Sequence, residues 1–210
     1  MREVIPGVHR LTSTRGGNAY LIEEGDRAVL VDTGLRSSAE AVVAELAAAH
    51  IPKLTDVVLT HYDPDHVGGA ADVQRATGAR VWLGAADIRI LRGEQEPPTR
   101  TRRAMFRSGW LGRAELPELT ALPDDADQEI APAVVARPAP GHTPGHHIVR
   151  WRGVAFIGDA ARVSKGRLVH FPGLLISDRD AADATLAAIA ASAPRLVCPG
   201  HGSPARLAES

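Results

Sequence analysis

The sequence predicts an α/β fold with two β-sheets and helices packed on their outer faces. Short apolar runs bounded by glycine, asparagine or aspartate predict strands, and helical patterns follow such strands twice along the chain. The 210 residues fit a single domain, 1–210, and the hydrophobic fraction of 44% is that of an ordinary globular protein. A disordered or fibrous chain is therefore excluded.

The first half of the chain predicts one sheet and its helices. Strands are predicted over residues 4–11, 19–23, 28–32, 56–60 and 80–83. A helix is predicted from a cap at Ser37 or Ser38 to about residue 49. A second helix is predicted over 67–77, where Gly78 ends it.

The second half of the chain predicts a second sheet. Residues 85–130 differ in composition, with arginines followed by acidic residues, and predict helical pieces and loops that form a lid or insert. A helix is predicted over 180–191, capped by Ser177 or Asp178. Strands are predicted over 133–137, 147–151, 154–157 and 196–198.

Charge and composition exclude several classes of partner and site. The formal net charge is −1, so no nucleic acid partner and no attraction to an anionic membrane are expected. No apolar run reaches the roughly 18 residues of a membrane span, and the N-terminal residues lack the apolar core of a signal peptide, so a cytoplasmic location is expected. The single cysteine, Cys198, excludes a cysteine-rich zinc site and is expected to be a buried, inert thiol. The sequence leaves the oligomeric state open.

Six of the nine histidines lie in three short segments, each of which follows a predicted strand. Loops at strand ends can bring distant side chains to one point on a rigid scaffold. A metal ion requires about four donor atoms, and this chain offers imidazole and carboxylate. The three segments together therefore predict a metal site. They are 61–66 (HYDPDH), 141–147 (GHTPGHH) and 199–202 (PGHG).

The first of these segments carries four donors on a tight loop. Pro64 disfavours the α conformation at Asp63, so the four donors do not share one helix face. His61 and Asp63 alternate and can point the same way. Asp65 and His66 begin the following turn and can serve a second ion.

Five segments in order resemble the metallo-β-lactamase superfamily. Each alone is weak evidence, but their order and spacing are specific, and together they cover most of the chain. The resemblance implies a four-layer αββα sandwich with a metal site at one edge. The five segments are 32–34 (DTG), 60–69, 141–146 (GHTPGH), 158–159 (GD) and 199–202 (PGHG).

The resemblance also implies roles for the donor residues. Asp65 and Asp159 are the implied catalytic residues, and Asp65 can take or relay a proton. Asp32 and His146 are implied to lie outside the ligand set, where Asp32 orients the first motif. Two divalent metal ions are expected as cofactors, with zinc expected first and iron or manganese as alternatives. The implied ligands are His61, Asp63 and His142 for one ion, Asp65, His66 and His201 for the other, and Asp159 for both.

One implied ligand departs from the family's commonest motif, His-x-His-x-Asp-His. Asp63 stands where that motif has its second histidine. A carboxylate can ligate zinc, but two divalent ions would then meet three carboxylates and a hydroxide, which leaves a neutral centre instead of a positive one. We therefore expect weaker Lewis acidity, a less acidic bound water and a greater preference for iron or manganese.

The resemblance implies a metal-dependent hydrolase in which a metal-bound hydroxide attacks an ester, thioester or lactone carbonyl of a small molecule. The leading forms are a thioesterase similar to glyoxalase II and a lactonase, although the sequence shows no helical domain of the kind that glyoxalase II uses to bind glutathione. One alternative is a mononuclear iron enzyme similar to the persulfide dioxygenases, which keep the equivalents of His61, His142 and Asp159. The other is a catalytically weak protein that binds metal for stability or regulation.

Three residues are candidates for substrate binding. Lys165 and His170 lie in the loop after Asp159, and Tyr62 lies in the metal loop, as a pocket wall or a core residue. The basic stretch over 100–107 is expected either to meet an anionic substrate or to be a solvated helix face.

Overall fold

The structure, a computed structural model, describes residues 1–108 and 117–208 and contains two large sheets. The seven-stranded sheet has its strands in sequence order: β1 (Arg2–Ile5), β2 (Val8–Arg10), β3 (Tyr20–Glu24), β4 (Arg27–Val31), β5 (Lys53–Val58), β6 (Arg80–Gly84) and β7 (Leu119–Leu122). The five-stranded sheet has the order β14 (Leu196–Pro199), β11 (Val154–Gly158), β10 (His147–Trp151), β9 (Val134–Pro138) and β8 (Gln128–Ala131). A separate ribbon pairs β12 (Arg162–Ser164) with β13 (Arg167–Val169).

Helices connect the strands within the described ranges. They are α1 (Ala39–Ala48), α2 (Pro64–Val67), α3 (Ala70–Thr77), α4 (Ala85–Leu91), α5 (Arg100–Arg107) and α6 (Arg179–Ala191). Short 3-10 turns lie at Arg36–Ser38 and Gly173–Leu175. None of the described helices has the length and apolar character needed to cross a bilayer.

The two sheets face each other across an apolar core, and helices cover their outer faces. In β3, Tyr20 and Ile22 point into this core while Leu21 points towards the helices, because successive side chains alternate across a strand. Tyr20 meets Phe156 of the second sheet with ring centroids 5.5 Å apart. On the outside, α1, α3 and α4 pack on the first sheet, and Ile189 of α6 packs on the second. This is the four-layer αββα arrangement that the sequence predicted.

Two elements predicted as continuous are divided. The strand expected over 4–11 is the hairpin of β1 and β2, which turns at Gly7 with a φ of 81°. The helix expected over 67–77 is divided between α2 and α3, which meet at Gly68 and Gly69. A side chain at Gly68 would collide with the backbone of a neighbouring turn, so the chain can approach closely only because glycine stands there.

The insert expected over 85–130 is shorter than predicted. Its last part is not an excursion, because β7 and β8 are edge strands of the two sheets. The helices α4 and α5 make up most of what remains, and residues 109–116 of this segment lie outside the described part of the chain.

Candidate metal centre

The donor residues lie beyond the carboxyl ends of parallel strands. β4 runs parallel to β5 in the first sheet, and β11 runs parallel to β14 in the second. Asp32 follows β4, His61 lies beyond β5, Asp159 follows β11 and His201 lies beyond β14. The loop between β9 and β10 brings His142 to the same place. The fold therefore gathers side chains from five separate segments.

The first cluster consists of His61, Asp63 and His142. Asp63 Oδ2 lies 3.4 Å from His61 Nε2 and 3.1 Å from His142 Nε2. Both imidazoles are buried, and the Asp63 side chain is 13% exposed. This half of the site is closed to solvent.

The second cluster consists of Asp65, His66 and His201. Asp65 Oδ2 lies 3.2 Å from His201 Nε2 and 3.9 Å from His66 Nε2. The His201 and Asp65 side chains are 35% and 28% exposed, so this half of the site opens to solvent.

Asp159 lies between the two clusters and is buried. Its Oδ1 is 3.5 Å from His66 Nε2, and its Oδ2 is 3.4 Å from His201 Nε2. The same Oδ2 is 3.8 Å from His142 Nε2, in the first cluster. One carboxylate therefore contacts both halves of the site.

The donor atoms have the spacing and the unmet bonding capacity of metal ligands. Atoms bound at about 2.1 Å to one tetrahedral zinc ion lie about 3.4 Å apart, which is close to the spacings in both clusters. His61 Nε2, His66 Nε2 and Asp159 Oδ1 are buried and have no hydrogen-bond partner within the described ranges. Any side chain at Gly200 would collide with the Asp159 carboxylate. The residues present therefore fit divalent metal ions.

The model of the metallo-beta-lactamase superfamily matches residues 12–201. This chain belongs to that superfamily. It is 35% identical over 140 residues to a hydroxyacylglutathione hydrolase of Anaeromyxobacter dehalogenans (strain 2CP-C), a match that covers 67% of this chain and 44% of that protein. It is 26% identical to a probable metallo-hydrolase of Bacillus subtilis (strain 168), over 96% of this chain and 86% of the other.

Solved metallo-beta-lactamase structures share the fold. A family member from Thermus thermophilus has a TM-score of 0.67 at 23% identity, over 96% of this chain and 75% of the other. The B3 metallo-beta-lactamase BLEG-1 has a TM-score of 0.71 at 21% identity, over 94% and 93% of the two chains. At these identities the likeness concerns the fold alone.

Asp32 and His146 lie behind the donors in this superfamily member. Asp32 Oδ2 accepts a hydrogen bond from His66 Nδ1 at 2.8 Å, and Asp32 Oδ1 accepts one from the Thr60 backbone at 2.7 Å. The bond to Nδ1 leaves the Nε2 atom of His66 free to act as a ligand. His146 lies with its ring centroid 5.0 Å from that of His61, and its Nε2 accepts a hydrogen bond from the Asp159 backbone at 3.2 Å.

The loop that carries His201 is held by the N-terminal part of the chain. The backbone N–H of Asn18 donates to Gly200 O at 2.7 Å. The Asn18 side-chain amide donates to Pro199 O and Gly202 O, both at 2.9 Å. The second cluster therefore joins two distant regions of the sequence.

Asp87 of α4 is a supporting residue that the sequence did not reveal. Its Oδ2 accepts hydrogen bonds from Tyr62 N at 3.1 Å and Thr143 Oγ1 at 2.8 Å, and its Oδ1 accepts one from Gly145 N at 2.7 Å. Asp87 thus ties together the two loops of the first cluster, and burial raises the pKa of its carboxyl to about 6. A lone acid in a short helix gives no sequence signal for this role.

Arg102 of α5 is the second residue that the sequence did not reveal. Its side chain is 1% exposed, with Nη1 donating to Asp63 Oδ1 at 2.6 Å and Nη2 donating to Asp63 Oδ2 at 3.3 Å. Nη2 also donates to Leu175 O at 2.9 Å and lies 3.1 Å from His142 Nε2. The charge count that gave a neutral metal centre omitted this cation and needs correction. The basic stretch over 100–107 was expected to meet an anionic substrate or to be a solvated helix face, and the buried Arg102 fits neither role. Asp63 itself was the available signal, because a buried carboxylate in place of a neutral imidazole requires a cation.

The imidazoles of the two clusters differ in pKa in the metal-free protein. Burial lowers the pKa of His142 to about 4. Burial also opposes protonation of His66, but the charges of Asp159 and Asp32 prevail and raise its pKa to about 10. The hydrogen bond to Asp159 raises the pKa of His201 to about 9. At neutral pH the second cluster therefore holds protons that His142 does not.

The three candidate substrate residues have different positions. Tyr62 is buried in the core, and its hydroxyl accepts a hydrogen bond from Arg102 at 3.3 Å. His170 Nε2 pairs with Asp183 Oδ1 of α6 at 2.7 Å. Lys165 is exposed in the turn between β12 and β13, and no hydrogen bond or ion pair joins it to a donor in the part of the chain that the structure describes. The structure therefore brings neither His170 nor Lys165 to the donor set.

Phe171 is an aromatic neighbour of both clusters that the sequence did not reveal. Its ring centroid lies 5.2 Å from that of His142 and 6.0 Å from that of His201. Leu174, three residues later, is 60% exposed. An aromatic ring therefore flanks the donors of both clusters.

Proposed function

We propose that this chain is a hydrolase that uses two divalent metal ions, zinc first among them, to cleave a thioester, ester or lactone. The position of Asp159 carries the proposal, because its carboxylate lies within 3.8 Å of donor atoms in both clusters. When bound, such ions make a water molecule more acidic and polarise a carbonyl oxygen. One ion would be held by His61, Asp63 and His142 and the other by Asp65, His66 and His201, with Asp159 shared.

Two carboxylates and the single cysteine have separate expected roles in the hydrolysis. Asp65 lies at the solvent opening with Oδ2 3.2 Å from His201 Nε2, where it can take or relay a proton. Burial opposes ionisation of Asp159, but the charge of His66 and other neighbours holds the pKa of that carboxyl well below its usual range. Burial raises the pKa of the Cys198 thiol to about 12, so this cysteine does not act as a nucleophile at neutral pH.

Two observations favour a thioester with an apolar acyl group. Relatives of this chain include proteins named hydroxyacylglutathione hydrolase, one of them from Fuscovulum blasticum and 31% identical over 87% of this chain. The Phe171 ring lies beside the donors, which suits the acyl portion of such a substrate.

The test combines metal analysis with a substrate panel. We expect protein purified without added metal to contain about two equivalents of zinc per chain, and to hydrolyse an S-acylglutathione, an aryl ester or a γ-lactone. Chelation should abolish this activity and zinc should restore it. His142→Ala should lose about one equivalent, whereas the control His9→Ala, which removes a β2 histidine paired with Glu23, should keep both.

Two outcomes would replace this proposal with another. About one iron per chain, with oxygen consumption on a persulfide, would favour the mononuclear oxygenase. Two bound ions without turnover on any member of the panel would favour a metal-binding or regulatory protein.

A further inference from the structure

Arg102 is a buried cation inside a site that would hold other cations. Its guanidinium contacts both carboxylate oxygens of Asp63 and also donates to the Tyr62 hydroxyl and to Leu175 O. An arginine is almost never fully buried unless an anion pairs with it. The burial of Arg102 beside Asp63 is therefore to be explained by the charge of the first cluster.

The backbone of Asp63 is held by α2, independently of Arg102. Asp63 is the N-terminal cap of α2, and its carbonyl accepts hydrogen bonds from the backbone of His66 at 2.9 Å and Val67 at 3.2 Å. Pro64, the first residue of α2, further restricts the backbone of Asp63. The helix therefore fixes the backbone of Asp63 but not its carboxylate, which makes no capping hydrogen bond and instead contacts Arg102, His61 and His142. Among these contacts Arg102 supplies the permanent positive charge.

The position of Arg102 is equally well determined by its own helix. The Thr99 side chain caps α5 by accepting a hydrogen bond from Arg102 N at 3.1 Å. The guanidinium carbon lies 5.3 Å from the centre of the Tyr62 ring, which adds a cation–π contact. The guanidinium is thus held beside the first cluster rather than free to swing into solvent.

We propose that Asp63 and Arg102 act as one electrically neutral unit in place of the neutral histidine that the family's commonest motif has at this position. In the metal-free protein the guanidinium balances the carboxylate. When an ion is bound, the guanidinium repels it and so offsets the extra attraction of Asp63. This inference rests on the proposed two-ion site, and it gives the centre the net charge that a histidine at position 63 would give.

The first experiment measures the thermal stability of metal-free protein in a double-mutant cycle. The variants are Asp63→His, Arg102→Met and the double variant, with Arg107→Met as a control because Arg107 is an exposed arginine of the same helix. Arg102→Met removes the cation that faces Asp63, and Asp63→His removes the anion that faces the buried Arg102. Both single variants should therefore melt well below wild type, while the double variant should melt above either. Additive losses would overturn the proposal, and the Arg107→Met control should melt with wild type.

The second experiment measures the zinc affinity of the first cluster by competition with a chromophoric chelator. The binding step that belongs to this cluster is the one that His142→Ala removes. Arg102→Met should bind zinc at least about tenfold more tightly than wild type and Asp63→His at least about tenfold more weakly, with the double variant close to wild type. Arg102→Lys keeps the charge and should stay close to wild type, which a role in packing alone would not produce.

The outcomes separate this inference from the proposed function. Weaker zinc binding in Arg102→Met, or equal behaviour of Arg102→Lys and Arg102→Met, would overturn the inference even if wild type binds two ions. A wild-type protein that binds fewer than two ions would overturn the proposed function. The double-mutant cycle on metal-free protein would still decide whether Asp63 and Arg102 act as one neutral unit. If Asp63→His does not fold, recovery of folding in the double variant supports the pair, and failure of both overturns it.

Discussion

The first and second clusters differ in access and in charge, although both would share Asp159. α5 closes the first cluster and places the guanidinium of Arg102 against it, and His142 there is neutral at ordinary pH. The second cluster opens to solvent through His201, and its imidazoles are protonated in the metal-free protein. The first cluster thus limits its negative charge with a resident cation, whereas the second must release protons before it can bind a metal.

The largest expected effect comes from the residue that joins the two halves. Asp159→Asn keeps the shape of the side chain but removes the shared charge, so both affinities should fall and hydrolysis should drop by more than about 100-fold. Metal analysis and kcat measure this. Asp183→Asn, a surface change in α6, is the matched control and should retain both ions. Loss of one ion only would show that the halves do not depend on a common carboxylate.

The next expected effect is a different pH dependence of zinc binding in the two clusters. His66 and His201 have folded-state pKa values raised to about 10 and about 9, so each must lose a proton to bind zinc at pH 7. The affinity of the second cluster should therefore rise up to about tenfold per pH unit for each proton released between pH 6 and 8. His142 should add little to the pH dependence of the first cluster in this range, because its pKa is about 4.

Stepwise zinc titrations at pH 6, 7 and 8, with proton release in weak buffer, measure this difference. In the metal-free protein, folding stability should fall as the pH rises, whereas zinc affinity should increase. A raised folded-state pKa gives stability that is present below the unfolded value of about 6.5 and lost as the pH rises through 9 to 10. Equal slopes for both zinc steps would break the comparison.

A smaller effect is expected when a residue that supports the donors, rather than a donor itself, is changed. Asp32→Asn weakens the bond that orients His66, so zinc affinity of the second cluster should fall by about 10–100-fold. Asp87→Asn is the counterpart, because Asp87 joins the two loops of the first cluster. In this variant the zinc affinity of the first cluster should fall more than that of the second. Competition titrations of both variants measure this, and the reverse pattern would contradict the assignment of supports.

The smallest effect is expected from Lys165→Ala. Lys165 is exposed in the turn between β12 and β13, so kcat and KM for the thioester should remain within about twofold of wild type. Steady-state kinetics measure this. A marked rise in KM would show that the ribbon reaches the open side of the second cluster during turnover and would restore the role that the sequence suggested.

Periodicity and turn residues predicted most of the fold. The sandwich followed from apolar runs that alternate across strands, as at Tyr20, Leu21 and Ile22. The edge strands β7 and β8 were missed because each has four residues and lies in a region rich in charge, where no apolar run stands out. The hairpin at Gly7 was missed because a two-residue turn interrupts the apolar run only briefly.

The donor set could be predicted and its supports could not. His61, Asp63 and His142 are marked by short motifs, whereas Arg102 lies 39 residues from Asp63 and is one of several arginines in α5. Which arginine points inward depends on the docking of that helix, which no local pattern records. Asp87 was missed for the same reason, since its partners lie in two distant loops.

The hydrogen bonds between Asn18 and residues 199–202 have a consequence for the order in which the site forms. The four donors of the 61–66 segment leave the ribosome before His142, and His201 is the last of the donors to appear. Closing a loop of this length is slow compared with local contacts. The enclosed half of the site can thus assemble on a growing chain, whereas the solvent-facing half is completed only when the last strand has joined the N-terminal loop.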